Sequence, residues 1–105
     1  MAPVKFHPAA REELEIALEH YGQVDAKLGS DFFAEYIERR TLIAEKPDLF
    51  RDRIHGTRRV NLKRFPYYIA YLQIEDVIWI VAVAHARRRP FYWRDRLGDL
   101  GSPRT

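Results

Sequence analysis

The stretch Val77–Ala84, "VIWIVAVA", constrains the fold most strongly, because every residue in it is apolar. An unbroken apolar run of this length is typical of a strand that is buried on both faces. Such a strand has to lie centrally in a sheet, with helices covering at least one face. The run is far too short to span a bilayer as a helix, so we expect no membrane segment.

The first half of the chain has the spacing of two amphipathic helices. Pro8 suits the first turn of a helix, and the apolar residues that follow recur at helical intervals until Gly22, where we expect this helix to end. Asp25 suits the N-cap of a second helix, which Pro47 closes. A short β-leaning segment, Val4–Phe6, precedes this helical hairpin.

After Gly56 the apolar period changes from that of a helix to that of a strand. The segments "RRVNLKR" and "FPYYIAYLQ" predict two strands before Val77–Ala84, with a tight turn near Glu75–Asp76. Pro90 permits a short terminal helix that ends at Gly98. The sequence therefore predicts one α+β domain over residues 1–105, with a flexible tail from about residue 98 to residue 105. Its order is β-α-α-β-β-β, with a small antiparallel sheet packed on the N-terminal helical hairpin.

The composition narrows the chemistry. The 105 residues include no cysteine, so neither a disulfide framework nor a thiolate metal site is possible. There is no phosphate-binding loop or glycine-rich dinucleotide turn, and the four histidines have no metal-ligand spacing. We therefore expect no metal and no other cofactor. The N-terminal residues do not resemble a secretory signal, so a cytoplasmic protein is expected.

Charge divides the chain into two opposite halves. Residues 8–48 contain five basic and ten acidic residues, which gives a net charge of −5. Residues 51–97 contain eleven basic and four acidic residues, a net charge of +7. This asymmetry predicts that the second half meets a polyanion or an acidic partner.

The basic residues fall into two groups that adjacent strands would bring to one side of the sheet. The candidates for binding a target or RNA are Arg58, Arg59, Lys63, Arg64, Arg88, Arg89 and Trp93. Arginines beside exposed aromatic rings can hold phosphates and stack bases. Two structural alternatives stay open: Arg88 and Arg89 as ordinary solvated surface, and Trp93 packed against the sheet.

The same region also has the residue types for RNA cleavage without a metal. Such cleavage needs a proton acceptor, an arginine that balances the phosphate charge, and a donor for the leaving oxygen. His85, Arg87 and Tyr92 are the candidates for these catalytic roles. A structural role is the alternative for two of them, with His85 hydrogen-bonded at a strand end and Tyr92 packed on the sheet.

The segments "LKRFPY", "AVAH" and "RRRPFYWRDR", in this order and spacing, resemble the C-terminal half of RelE/ParE-type toxins of bacterial type II toxin–antitoxin (plasmid stabilisation) systems. The segments "PAAREELEIALEHYGQ" and "KPDLF" extend the resemblance to about residues 4–97. It implies a small antiparallel sheet packed on an N-terminal helical hairpin. It also implies a growth-inhibiting protein that a cognate antitoxin neutralises, typically through an acidic or amphipathic tail.

The resemblance implies two possible modes of action. RelE-like members cut messenger RNA on the ribosome with a basic patch and a C-terminal tyrosine, and Arg59, Arg87 and Tyr92 fall near those positions. ParE-like members instead poison DNA gyrase. The overall pattern is closer to ParE, since the lysine-rich stretch of RNA-cutting relatives is replaced by "LFRDRIHGTRR". A small nucleic-acid-binding module without toxicity is the third reading, which the charge split alone would permit.

Overall fold

The computed structural model describes residues 2–100, which form a helical hairpin packed on one sheet. The helices are α1 (Pro8–Val24) and α2 (Ala26–Glu45), and the strands are β1 (Val4–Phe6), β2 (Arg58–Asn61), β3 (Tyr67–Ile74) and β4 (Val77–His85). The predicted α+β class and the order β-α-α-β-β-β are confirmed. No helix within these residues has the length and apolarity needed to cross a membrane.

The sheet has the order β1-β4-β3-β2 and is mixed rather than purely antiparallel. The strands β2, β3 and β4 form the antiparallel meander that the sequence predicts. The short β1 pairs in parallel with β4, with Lys5 opposite Trp79. The helical hairpin carries the chain from β1 across the sheet to β2 at the opposite edge, and the meander then returns it to β4 beside β1.

The strand β4 lies in the interior of the sheet and is buried on both faces, as predicted. On the helix face, Ile78 and Ile80 join α1 and α2 in the larger apolar core. On the opposite face, which we call the second face, Val81 and Ala82 pack in a smaller core with Trp93. The register shifts here, because Ala70 lies opposite Ala82 whereas Tyr71 lies opposite Ile80. This extra residue leaves both Val81 and Ala82 on the second face.

The helical hairpin is tighter than its sequence pattern suggests. The helix α1 does not end at Gly22 but continues to Val24, and Asp25 then caps α2 by accepting the N–H of Lys27 at 2.9 Å. A Cβ atom placed on Gly29 would lie 3.0 Å from the Cα of Gly22. The absence of a side chain at Gly29 therefore lets α2 approach the backbone of α1 closely at this point.

The C-terminal segment covers the second face of the sheet. The predicted short terminal helix is a 3-10 segment, Arg94–Asp99. Leu100 is buried in the second-face core, so the packed chain extends beyond Gly98, where the sequence placed the start of the tail. Residues 101–105 of the predicted tail lie outside the described residues.

Candidate functional site: a cationic surface beside the end of the central strand

The chain turns sharply after β4, and this turn (Ala86–Pro90, the arginine turn) carries three exposed arginines. His85 organises it: Nδ1 accepts the backbone N–H of Arg87 at 3.0 Å, and its carbonyl accepts the N–H of Arg88 at 3.0 Å. The first N–H of the turn donates to the carbonyl of Pro66 at 2.7 Å. The backbone is therefore held in place while the arginine side chains reach into solvent.

The charge of the arginine turn is not neutralised by the rest of the described chain. The Arg88 guanidinium lies over the ring of Tyr92, 3.9 Å from its centroid. Among residues 2–100, no carboxylate forms an ion pair with Arg87, Arg88 or Arg89. Unpaired, exposed guanidinium groups with a fixed backbone are suited to bind carboxylates or phosphates of a partner.

Arg59 adds a further cation on the second face of the sheet. Its guanidinium stacks on the ring of Tyr68 at 4.1 Å, and Nε donates to Oδ1 of Asn61 at 3.3 Å. Arg59 lines a cleft of about 190 Å³ that extends to Pro90 and Phe91. The cleft thus brings Arg59 near the end of the arginine turn, although β2 and β4 are not adjacent and β3 lies between them.

Arg58 also lines this cleft, but its guanidinium is engaged by the loop before β2. The side chains of a strand alternate between its two faces, so Arg58 points away from Arg59. Its Nη1 donates to the carbonyl of Phe50, and its Nη2 lies 3.6 Å from Oδ1 of Asp48. Arg58 is predicted from the sequence as a binding residue, but its contacts hold the loop between α2 and β2 in place.

Lys63 and Arg64 also lie apart from the arginine turn, because they face α2. Their backbone N–H groups both donate to the carboxylate of Glu35. The Arg64 guanidinium forms an ion pair with Asp31 at 3.2 Å. Hydrogen bonds from Lys27 and from Arg64 lower the pKa of Asp31. Of the basic group on and beside β2, Arg58 and Arg59 therefore line the cleft beside the arginine turn, whereas Lys63 and Arg64 face α2.

Tyr92 belongs to a cluster with Glu13 of α1 and Arg96 (the Glu13 cluster). The Tyr92 hydroxyl donates to Oε2 of Glu13 at 2.6 Å, and Arg96 donates to both carboxylate oxygens at 2.9 and 3.0 Å. Burial raises the pKa of Tyr92 well above its usual range, and the hydrogen bond to Glu13 raises it further. The hydroxyl proton is therefore retained at neutral pH and is already donated within the protein.

The Glu13 cluster also closes an open part of β4. The strand β1 pairs only with residues 78–80 of β4, so the next backbone groups lack a strand partner on that side. The N–H of Val83 donates to Oε1 of Glu13 at 3.0 Å, and the carbonyl of Val81 accepts from Arg96 at 2.9 Å. These side chains satisfy the buried backbone groups that β1 is too short to reach.

Trp93 is buried rather than presented to a partner. Only 3% of its surface is exposed, and its Nε1 donates to the hydroxyl of Tyr68 at 3.2 Å. Its ring packs at an angle against Phe91, with the centroids 5.5 Å apart. The prediction of Trp93 as a binding anchor is therefore replaced by the packing alternative, because the second face of the sheet needs a large apolar cover.

The three candidate catalytic residues are sequence neighbours with different surroundings. Within residues 2–100, the direct contact among the three is a hydrogen bond that the backbone N–H of Arg87 donates to the His85 ring. The His85 ring packs edge-on against Tyr67, at 5.1 Å between centroids. The Tyr92 hydroxyl is held by Glu13 instead. Their catalytic roles stay a prediction from the sequence.

Glu13 and Arg96 are the important residues that sequence reasoning missed. A signal for Glu13 was present, because it lies three residues after Ala10 and four before Ala17, both buried on the apolar stripe of α1. A carboxylate on such a stripe indicates a buried partner. Nothing in the sequence identifies Arg96 as that partner among so many arginines. In the described range, no group of three or more acidic or histidine side chains is arranged to hold a metal ion.

Comparison with known proteins identifies the class of protein. A family described as "ParE toxin of type II toxin-antitoxin system, parDE" matches residues 4–90. The solved structure "Chromosomal ParDE TA system from P. aeruginosa" contains a chain that is 17% identical to this one, with a TM-score of 0.69. The match covers 81% of this chain and 96% of that chain, and at this identity it shows the shared fold. Among proteins with curated descriptions, none matches.

The family match and the fold define a toxin component of a type II toxin–antitoxin system. Within that class, the chain belongs to the ParE toxin family. The resemblance seen in the sequence is thereby confirmed, and its ParE-like side is favoured over its RelE-like side.

Proposed function

We propose that this toxin inhibits growth by docking on DNA gyrase, and that a cognate antitoxin neutralises it. Membership of the ParE family supports the toxin role and favours gyrase over ribosome-bound messenger RNA as the target. Docking needs an exposed, pre-formed surface and no catalytic groups. The arginine turn and Arg59 provide such a surface, since their backbone is held in strands and hydrogen bonds.

The observation that supports docking most directly is the engagement of Tyr92. A tyrosine that assists RNA cleavage needs its hydroxyl within reach of the reacting phosphate. Here the hydroxyl donates to Glu13 at 2.6 Å, and Glu13 also holds Arg96. Tyr92 is therefore a structural residue in this proposal, and Arg87, Arg88 and Arg89 are docking residues that act through charge.

The proposed antitoxin carries an acidic or amphipathic tail that folds on the toxin. The second half of the chain has a net charge of +7, and the arginines of the arginine turn are unpaired within the described residues. An acidic segment gains charge-assisted hydrogen bonds there as it becomes ordered. With gyrase as its target, the protein works in the cytoplasm as a single domain and without a cofactor.

Induced expression of the chain alone is expected to stop bacterial growth, and co-expression of the neighbouring antitoxin gene is expected to restore it. The reason is that, in this proposal, the folded toxin needs only its target in order to act. The measurement is the count of viable cells after induction, together with a reporter of the DNA damage response. We expect this reporter to rise while protein synthesis continues.

The matched control is an unfolded variant of the same chain, Val81→Asp, expressed from the same promoter. It separates specific toxicity from the burden of overexpression. Unimpaired growth at a verified level of folded wild-type protein would contradict the proposal. A rapid arrest of protein synthesis without DNA damage would support the ribosome as the target instead.

A further inference from the structure

The cleft beside Arg59 on the second face of the sheet (the Arg59 cleft) combines arginines with aromatic rings. One wall is the loop that precedes β2, and the other is the chain from Pro90 to Trp93. Within the described chain, the lining residues are Arg53, Thr57, Arg58, Arg59, Tyr68, Pro90, Phe91 and Trp93. None of them is acidic, so the cleft is suited to an anion that also has a flat apolar part.

Two of the three arginines in this cleft keep their charge available for a ligand. Arg53 is exposed, and neither Arg53 nor Arg59 forms an ion pair with a carboxylate among residues 2–100. The Arg59 guanidinium stacks on Tyr68 at 4.1 Å and donates through Nε to Asn61, so this side chain is already held in place. A fixed guanidinium loses little conformational freedom when it binds a phosphate, whose oxygens match its fork of donors.

The backbone is strained on both walls of the cleft. Phe91 has a φ of 59°, and His55, which lies between Arg53 and Thr57, has a φ of 57°. This left-handed region is unfavourable for a bulky side chain, and residues held in it are concentrated at functional sites. Thr57 fixes one wall by donating its hydroxyl to the carbonyl of Ile54 at 2.6 Å. The cleft is therefore pre-formed, at a cost to the stability of the free protein.

A second cleft meets the first at Arg59 and leads to the arginine turn. It has a volume of about 180 Å³. Within the described residues it is lined by Arg59, Asn61, Leu62, Phe65, Pro66, Tyr67 and Ala86. Ala86 is the first residue of the arginine turn. Positive charge therefore recurs along one path, at Arg53, at Arg59 and at the arginine turn, and no carboxylate lines either cleft within the described chain.

A path of recurring positive charge favours a polyanionic chain over a single small anion. A DNA strand has one phosphate per nucleotide, so successive phosphates can meet Arg53, Arg59 and the arginine turn. The ring of Phe91 is only partly buried and lines this path, where it offers a stacking surface for a flat base. An acidic peptide has the charge but lacks a flat group beside each charge. DNA is also the substrate of the proposed target.

We propose that the Arg59 cleft binds the phosphate backbone of the DNA that gyrase holds, while the arginine turn docks on the gyrase protein. The inference rests on the proposed function and deepens it, because it makes DNA a part of the target. The toxin then recognises gyrase best in the form that has DNA bound, since Arg53 and Arg59 meet phosphates only in that complex.

The affinity of the purified toxin for gyrase, with and without a bound DNA duplex, tests this assignment. The wild type is expected to bind the gyrase–DNA complex about tenfold more tightly than gyrase alone. Arg53→Glu is expected to bind both forms alike, because it places a carboxylate against the phosphates. The matched control is Arg51→Glu, which makes the same charge change at an exposed residue of the same loop that lines neither cleft. We expect this control to retain the preference of the wild type.

The salt dependence of binding separates a phosphate contact from a general effect on the fold. Arg53→Gln removes the charge at an exposed position and should melt at the wild-type temperature. For the gyrase–DNA complex, the slope of log affinity against log salt concentration should become shallower by about 1 in this variant. An unchanged slope would contradict a contact between Arg53 and a phosphate.

The outcomes distinguish this inference from the function on which it rests. Equal affinity of the wild type for gyrase with and without DNA would overturn the cleft assignment and leave gyrase as the target. No binding of gyrase in either form would overturn both. Tight binding of a ribosome-bound messenger that is lost in Arg53→Glu would assign the cleft to RNA. Loss of the preference for DNA in the presence of free deoxynucleotide, at an equal phosphate concentration, would assign it to a mononucleotide. Either of these two results would contradict the proposal.

Discussion

Replacing Val81 by aspartate is expected to abolish the folded state. Val81 is fully buried on the second face of the central strand, and Arg96, which donates to its carbonyl, is already paired with Glu13. A buried unpaired carboxyl group costs about 5 kcal/mol or more, which is comparable to the whole stability of a domain of this size. Far-UV circular dichroism and urea titration measure the loss directly.

The control for Val81→Asp is Gln73→Asp, which adds the same carboxylate to an exposed position of β3. We expect this variant to lose about 1 kcal/mol or less, through reduced strand preference alone. If Val81→Asp were soluble and melted at the wild-type temperature, the placement of β4 between two cores would be wrong.

Replacing Glu13 by alanine is expected to destabilise the protein by about 3–5 kcal/mol, because it removes one partner of a mostly buried ion pair. Glu13 and Arg96 are exposed to only 16% and 18%. The change leaves the guanidinium of Arg96, the hydroxyl of Tyr92 and the N–H of Val83 without their shared acceptor. The C-terminal segment should loosen first, since Tyr92 and Arg96 tie it to α1.

Glu12→Ala tests whether the effect of Glu13→Ala depends on those contacts. Glu12 is the exposed neighbour of Glu13 on α1, so its removal changes the charge equally and should alter stability by about 0.5 kcal/mol or less. Thermal unfolding gives both values, and hydrogen exchange of residues 91–100 reports on the C-terminal segment. Equal stability of the two variants would show that the Glu13 cluster contributes nothing beyond net charge.

Much of the fold was predictable, because long patterns determine it. The apolar run of β4 indicated a strand buried on both faces, and the change of period after Gly56 separated helices from strands. The parallel pairing of β1 was not predictable, since three residues carry no pattern that selects a partner. The continuation of α1 past Gly22 was also not predictable, and Gly22 there lies in close contact with Gly29, which is a tertiary contact.

The candidate site was predictable in residue type but not in arrangement. The exposure of Arg87, Arg88 and Arg89 follows from a run of charges after a buried strand. The partners of Arg58 and Arg64 could not be predicted from the sequence. The ion pair of Arg64 with Asp31, for example, joins two residues that lie far apart in the chain. Similarly, an aromatic run does not reveal that Trp93 is buried while its neighbour Tyr92 meets Glu13.

The most direct test of the central claim, that this toxin docks on gyrase and does not cut RNA, uses the wild type and Tyr92→Phe side by side. Each protein is added to purified gyrase in a supercoiling assay, and to a ribosome-bound reporter messenger analysed by primer extension. We predict that both proteins inhibit supercoiling to a similar degree, because Tyr92→Phe retains the ring under Arg88 and the ion pair of Glu13 with Arg96. Neither should cut the messenger. Cleavage within translated codons by the wild type, lost in Tyr92→Phe, with supercoiling unaffected, would contradict the claim.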